Sequence, residues 1–157
     1  MTLASGAAIN ANGGPGVSLL QGPSSYFGGG AGGGILLEGP RVTLGNGTEL
    51  LVNGGPAAAA GDFSPPTSET TAASIGGRCV SNGMYRCGNG GNGAGADAPA
   101  SSGEDVAFFN TANYEFRSAG GGGGLGFIRI NTPTGSYTKA SDTIESGVVT
   151  AGTLKTR

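Results

Sequence analysis

The stretch GGGAGGGILLEGPRVTLGNGTELLVNGG (residues 28–55) joins a glycine run to three short segments rich in β-forming residues. The segments ILLE, RVTL and ELLV are separated by Gly-Pro and by Gly-Asn-Gly. Short aliphatic and β-branched runs bounded by turn residues predict strands. Three such strands in one repeat are typical of a single turn of a β-solenoid.

The first internal repeat aligns residues 2–15 with residues 43–56 at a shift of 41, without a gap. Aligned residues stack in successive turns of a solenoid, so we expect Asn12 to lie next to Asn53. This pair has two interpretations. Stacked asparagines can form a ladder of side-chain amides, whereas Asn-Gly is also a favourable turn sequence.

The second internal repeat aligns residues 32–40 with residues 125–133 at a shift of 93. Ile35 falls on Ile128, and both copies follow a glycine run and end in proline. The repeating unit is therefore a glycine run followed by short strands with turns at fixed places.

These patterns predict an all-β fold and nearly exclude helices. We expect a single domain that forms a short, irregular parallel β-helix (a β-solenoid) of about three rungs, interrupted by two glycine-rich insertions. The expected positions are 1–157 for the domain, 2–12, 35–53 and 127–150 for the rungs, and 13–34 and 54–126 for the insertions.

The glycine runs also have two interpretations. Glycine chains can adopt an extended conformation related to polyproline II and hydrogen-bond side by side, because no Cβ separates them. The alternative is a flexible linker. The sequence leaves open whether such packing occurs within one chain or between chains. The residues expected to pack or to mediate assembly are Gly28, Gly29, Gly30, Gly32, Gly33, Gly34, Gly120, Gly121, Gly122, Gly123 and Gly124.

Composition argues against several classes of function. The chain has 8 basic and 10 acidic residues and a net charge of −2, too few cations for a nucleic-acid partner. It contains no histidine, which removes the commonest general base and zinc ligand. We therefore expect no enzymatic activity, no metal site and no cofactor. We also expect no membrane span, because no apolar run reaches about 18 residues, and residues 1–14 lack the pattern of a signal peptide.

The two cysteines, Cys79 and Cys87, lie close together in a glycine-rich segment. Without histidine or further cysteines nearby they cannot complete a zinc site. We expect a small disulfide loop, with two free thiols as the alternative. A disulfide would indicate an oxidising, extracytoplasmic location.

Aromatic residues are concentrated in VAFFNTANYEF (residues 106–116). They either close one end of a small core or form an exposed contact surface, for example for a glycan. An enzymatic alternative would use paired carboxylates for glycoside hydrolysis, and the pair within one predicted rung is Glu38 and Glu49. The aromatic residues to which both interpretations apply, including the contact surface, are Phe108, Phe109, Tyr114 and Phe116.

A family resemblance follows from these motifs. GGGAGGGILLEGPRVTL, ELLVNGGP and GGGGGLGFIRINTPTGS, with a polar tail ending in GVVTAGTLKTR, resemble the glycine-rich repetitive surface proteins and lipoproteins of myxobacteria and related Gram-negative bacteria. The resemblance covers most of the chain and implies export, a cell-surface location and a β-solenoid-like fold, but no catalytic residues. The chain is more loosely similar to bacteriophage tail-tip adhesins built from packed glycine-rich helices, from which it departs in having strand rungs.

We therefore expect an extracellular structural or adhesive protein of the cell surface. The alternatives are a carbohydrate-binding module and, with less support, a polysaccharide-cleaving β-helix enzyme. Neither end of the predicted solenoid carries an obvious charged or helical cap, and uncapped strand edges favour self-association into an oligomer or a fibre. A surface glycan is the other expected partner.

Overall fold

The computed structural model describes residues 1–17, 27–58, 63–64, 78–79, 89–95, 98–110 and 113–155, with 63–64, 78–79, 105–110 and 113–118 described by their backbone. These residues form strands and no helix. The strands are β1 (Thr2–Leu3), β2 (Ala8–Asn10), β3 (Gly34–Glu38), β4 (Thr43–Leu44), β5 (Glu49–Leu51), β6 (Phe63–Ser64), β7 (Arg78–Cys79), β8 (Asp105–Asn110), β9 (Asn113–Ser118), β10 (Phe127–Thr132), β11 (Thr138–Lys139), β12 (Ile144–Ser146) and β13 (Val148–Thr153).

Nine of these strands form three parallel sheets of three strands each. The first sheet contains β3, β10 and β13, the second β1, β4 and β11, and the third β2, β5 and β12. Along the chain, the strands visit the sheets in the repeating order first, second, third. We call this solenoid-like arrangement of nine strands the strand stack.

Strand pairing in the stack follows the internal repeats. Thr2 pairs with Thr43 and Ile9 with Leu50, at the shift of 41. The strand β3 pairs with β10 at the shift of 93, whereas β4 and β5 pair with β11 and β12 at a shift of 95. The difference arises because six residues separate Asn131 from Thr138, whereas four separate their partners Glu38 and Thr43. The alignments predicted from the sequence are therefore the observed registers.

Turns between the second and third sheets also repeat. Gly6 and Gly47 both have positive φ, 71° and 63°, and the Gly6 N–H donates to Asn46 O at 2.8 Å. A side chain at either position would strain the backbone. Glycine therefore recurs here, in Ser5-Gly6 and in Asn46-Gly47, because the turn requires a positive φ.

The interior of the strand stack is a small aliphatic core. Inward and outward residues alternate along β3 and β10, as expected for strands with one buried face. At the edge of the core, Asn53 is fully buried and Asn12 Oδ1 accepts its backbone N–H at 2.7 Å. The predicted Asn12–Asn53 stack is thus linked through a side chain. The core consists of Ile35, Leu37, Val42, Leu44, Leu50, Val52, Ile128 and Ile130.

The glycine-rich segments are ordered beside the strand stack and join through backbone hydrogen bonds. Six segments take part: 11–17, 27–33, 52–58, 89–95, 98–104 and 119–126. Donors in a segment recur every third residue: the N–H groups of Gly13 and Gly16 donate to segment 52–58, and those of Gly30 and Gly33 to segment 11–17. We call these six segments the glycine bundle.

The hydrogen bonds arrange the glycine bundle in two rows of three. One row contains 11–17, 52–58 and 89–95, and the other contains 27–33, 119–126 and 98–104. Segments 52–58 and 119–126 are central, and each bonds to four others. Residues 51–58 are accordingly all buried.

Close approach of the segments explains the glycines. A methyl group at Gly54 would overlap the carbonyl oxygen of Gly123, and one at Gly123 would overlap that of Gly30. These obstacles are backbone atoms of neighbouring segments, which cannot rotate away. Glycine therefore serves here to let backbones hydrogen-bond directly.

Candidate functional site

Within the glycine bundle, the chain repeatedly leaves the strand stack and returns to it. Segments 11–17 and 52–58 leave β2 and β5, and segments 27–33 and 119–126 lead back into β3 and β10. Segment 89–95 runs antiparallel to 52–58 and parallel to 119–126. The chain therefore makes three excursions along the bundle.

All three excursions turn at the same end, which we call the far end. Hydrogen bonds there join Phe27 to Val17, Ala58 to Phe27, and Ala119 to Glu104. The sequence between the outgoing and returning segments comprises 18–26, 59–88 and 105–118. Seven residues in an extended conformation span about 20 Å, so the far end lies roughly that distance from the strand stack.

Two large apolar side chains are exposed at the far end. Val17 and Phe27 are 59% and 48% exposed. In the sequence, seven of the ten aromatic residues of the chain lie in 18–26, 59–88 and 105–118, the stretches that join the outgoing and returning segments: Tyr26, Phe63, Tyr85, Phe108, Phe109, Tyr114 and Phe116.

One connection contains a hairpin, in which β8 pairs with β9 antiparallel. The register pairs Phe109 with Tyr114, Ala107 with Phe116 and Phe108 with Glu115. The four predicted aromatic residues thus lie on one hairpin, which begins directly after segment 98–104 at the far end. Their side chains are outside the described part of the structure, so the contact surface and the core interpretation both stay predictions.

Two hydrogen bonds from Asn89 to the Glu104 carboxylate, which we call the clamp, link two segments just before this hairpin. Glu104 accepts hydrogen bonds from the backbone N–H of Asn89 at 3.0 Å and from its Nδ2 at 3.1 Å. The backbone hydrogen bond, followed by the side-chain one, lowers the pKa of Glu104. The clamp joins segments 89–95 and 98–104 one residue before the hairpin begins.

The predicted packing glycines lie mostly in two segments of the glycine bundle. Residues 28–30 and 32–33 belong to segment 27–33, and residues 120–124 to segment 119–126. Gly34 is not part of the bundle, because it is the first residue of β3. Gly124 belongs to segment 119–126, but it is not tightly packed, since a methyl group there would meet no atom within 4 Å.

One end of the strand stack carries a polar cap that sequence reasoning missed. Where β4 and β5 have Leu44 and Leu50, β11 and β12 have Lys139 and Glu145. Glu145 accepts hydrogen bonds from the Tyr137 hydroxyl, at 2.6 Å, and from Lys139 Nζ. Its side chain is only 8% exposed. The polar cap (Tyr137, Lys139 and Glu145) corrects the expectation that neither end is capped by charge.

Burial raises the pKa of Tyr137, and the hydrogen bond to Glu145 and its charge raise it further. At the opposite end the corresponding positions are apolar. Met1 is exposed there, and Leu3 and Ile9 are partly buried against the core. The two ends of the stack therefore differ in chemistry.

The carboxylates of the enzymatic alternative do not share a face. Glu38 ends β3 in the first sheet, whereas Glu49 begins β5 in the third. Glu38 is instead hydrogen-bonded to Asn131, whose Nδ2 donates at 2.7 Å. This arrangement lacks the facing pair that glycoside hydrolysis requires.

The described residues contain no group of three or more His, Cys, Asp and Glu side chains placed to hold a metal ion. An open depression of about 480 Å³ lies between the end of segment 89–95, residues 98–100 and Leu125. Its described lining is alanine, glycine, proline and leucine, which offers no catalytic group. No helix in the described part of the chain could cross a membrane.

The predicted disulfide falls partly outside the described residues. Cys79 is the last residue of β7, and Cys87 is not described, so their pairing stays a prediction. No known protein family matches the sequence, and neither a curated protein nor a solved structure is found to be similar to it. The resemblance to glycine-rich surface proteins likewise stays a prediction.

Proposed function

We propose that this protein is an extracellular adhesin that contacts its target through the far end of the glycine bundle. In this account the strand stack is a short parallel β-helix of about three rungs. It supports a spacer of extended, polyglycine-like segments, and the connecting segments 18–26, 59–88 and 105–118 carry the contact residues.

The topology carries the proposal, because three separate excursions of the chain all turn at one end. Binding residues in proteins are commonly placed on loops held by a rigid scaffold. A bundle whose backbones are hydrogen-bonded and too close for side chains is such a scaffold. It brings the points where the three connections begin and end to one end of the bundle.

The composition of the far end supports the same conclusion. Phe and Tyr are enriched at binding interfaces because they give a large contact area with few rotatable bonds. Exposure of Phe27 and Val17 at this end adds apolar surface beside the hairpin. A surface glycan or a surface protein is the expected target, and the resemblance to secreted surface proteins supports a location at the cell surface.

Binding of fluorescently labelled protein to intact Gram-negative cells and to immobilised polysaccharides tests this proposal. We expect at least one surface to be bound, and we expect Phe27→Ser and Phe109→Ser each to weaken binding at least tenfold. Thr138→Ala, on the second sheet of the strand stack, is the control and should bind normally. The proposal fails if no surface is bound, or if both aromatic variants bind as well as the control.

Self-association is a second candidate function, favoured by the apolar end of the strand stack. Unpaired edges of β1, β2 and β3 lie there beside Leu3 and Ile9. Stacking copies head to tail would bury the Lys139–Glu145 pair of the opposite end, and burying an ion pair is costly. We therefore expect closed dimers joined through their apolar ends. Long fibres in negative-stain electron microscopy would contradict this expectation, as would a strict monomer in sedimentation at all concentrations.

A further inference from the structure

The outward face of the first sheet carries an ordered set of residues in three rows. Strand register aligns them across β3, β10 and β13. The inward neighbours of these residues, such as Ile35 and Ile128, belong to the core. The rows are Gly34–Phe127–Val148, Leu36–Arg129–Thr150 and Glu38–Asn131–Gly152.

Two glycines allow flat groups to lie directly on this sheet. A methyl group at Gly34 would come within 2.6 Å of the Phe127 ring, and one at Gly152 would overlap the guanidinium of Arg129. Glycine weakens a strand and often marks a place where another group approaches the backbone closely. Here the aromatic ring and the guanidinium each cover a glycine of the neighbouring strand.

Hydrogen bonds hold the polar groups in place. Arg129 Nε donates to Asn131 Oδ1 at 2.9 Å, and Asn131 Nδ2 donates to Glu38 Oε1 at 2.7 Å. Each group keeps further hydrogen-bonding capacity, since a guanidinium has five donors and a carboxylate two acceptor oxygens. Three planar polar groups are thus fixed in a line beside an aromatic ring.

The same face also exposes apolar surface. Leu36, Phe127 and Val148 are 58%, 58% and 59% exposed, which is unusual for large apolar side chains that lie together. Apolar patches bordered by polar groups mark interaction sites on soluble proteins. The ring and the polar line are therefore available to a ligand from outside.

We propose that this face, the platform (Leu36, Glu38, Phe127, Arg129 and Asn131), binds a neutral polysaccharide. The apolar C–H face of a sugar ring would lie on Phe127, and its hydroxyls would exchange hydrogen bonds with Arg129, Asn131 and Glu38. The platform carries one positive and one negative group, so it favours neither an anionic nor a cationic ligand. It shares no residue with the far end and goes beyond the adhesive function proposed above.

A protein partner fits this face less well than a saccharide. Packing another apolar surface against it would remove Arg129 and Glu38 from water, and such desolvation is costly without new partners. A ligand rich in hydroxyl groups replaces the lost water hydrogen bonds. Its apolar ring face still covers Phe127.

Affinity electrophoresis of the whole chain in gels containing neutral glucans, mannans or galactans tests the platform. We expect at least one polysaccharide to retard the protein. Phe127→Leu and Arg129→Gln should each reduce binding at least tenfold, whereas Phe127→Tyr, which keeps the flat ring, should stay within about twofold. Thr138→Ala is the control, and thermal melting shows whether each variant is folded.

Three results would overturn the proposal. One is that no neutral polysaccharide retards the protein. A second is that folded Phe127→Leu and Arg129→Gln bind as well as the control. In the third, Phe109→Ser abolishes retardation and the platform variants do not, which would place saccharide binding at the far end and leave the adhesin proposal intact.

Discussion

Two neighbouring positions, Gly123 and Gly124, can test whether close backbone packing in the glycine bundle requires glycine. Gly123 lies in the central segment 119–126; its N–H donates to Gly55 O and its carbonyl accepts from the Ala94 N–H, both at 2.9 Å. An added Cβ would lie well inside 3.0 Å of Gly30 backbone atoms. Gly123→Ala must therefore force two segments apart.

The expected loss of stability has two sources. Overpacking a tight interior costs about 1–3 kcal/mol. The separated segments, 27–33 and 119–126, are joined by the hydrogen bonds from Gly29 to Gly121 and from Gly32 to Gly124, and breaking each costs about 1 kcal/mol. We expect Gly123→Ala to lower the free energy of unfolding by about 3–5 kcal/mol, a large share of the roughly 5–15 kcal/mol typical of a domain.

Gly124→Ala is the matched control, one residue away. A methyl group on Gly124 would have no atom within 4 Å, and the φ of this residue is not positive. Alanine there restricts the unfolded chain and should stabilise the protein by about 0.4–1 kcal/mol.

Urea unfolding followed by circular dichroism measures both variants. With a slope of about 2 kcal/mol per molar urea, the midpoint of Gly123→Ala should fall by about 2 M, and that of Gly124→Ala should rise slightly. Equal midpoints for the two variants would refute the argument that backbone packing requires glycine.

Three further predictions concern side chains that make hydrogen bonds. Asn12→Ala removes the acceptor of the buried Asn53 N–H and should cost about 1–3 kcal/mol in urea unfolding; an equal loss in the exposed control Asn46→Ala would contradict this. Because the pKa of Tyr137 is raised on folding, its contribution to stability is complete below about pH 10 and declines above it. The urea midpoint of Tyr137→Phe should therefore fall less between about pH 9 and 11 than that of the unsubstituted protein. Equal falls in the two proteins would contradict the hydrogen bond assigned to the polar cap. The lowered pKa of Glu104 gives a contribution that is present above about pH 4.5 and declines as the pH falls further. Glu104→Gln should thus lower the midpoint more at about pH 7 than at about pH 3, and equal drops at both would be inconsistent with the clamp.

The registers of the strand stack could be predicted because the turn residues that bound each strand recur at the same places in the internal repeats. Thr2 to Pro15 and Thr43 to Pro56 keep the same turns, so one shift aligns two strands at once. The Gly-Pro turn that follows Glu38 likewise marks the end of β3. Where the repeat keeps the type of residue, sequence alone gives the pairing.

The polar cap could not be predicted because its residues break the repeat. Lys139 and Glu145 occupy positions that are leucine in the preceding turn, and the longer turn after β10 changes the shift from 93 to 95. Both changes hide the alignment. A terminal turn needs polar residues facing its uncovered end, so this departure has a physical reason.

The pairing of segments in the glycine bundle could not be predicted either. Composition shows that glycine backbones can approach closely, but the partner of each segment depends on hydrogen bonds between residues distant in the chain, such as Gly54 and Ala94. The side-chain pattern records few of these pairs, because backbone atoms make most of the bonds. The far end as a common site follows only from that pairing.

Hydrogen exchange of individual glycine amides by nuclear magnetic resonance tests the central claim, that the glycine-rich segments form one ordered bundle. The N–H groups of Gly13, Gly30 and Gly123 have backbone acceptors in neighbouring segments and should exchange roughly 100-fold or more slowly than in an unfolded chain. Gly124 has no such acceptor among the described residues and should exchange much faster. Rapid exchange of all four glycines, as in a flexible linker, would contradict the account.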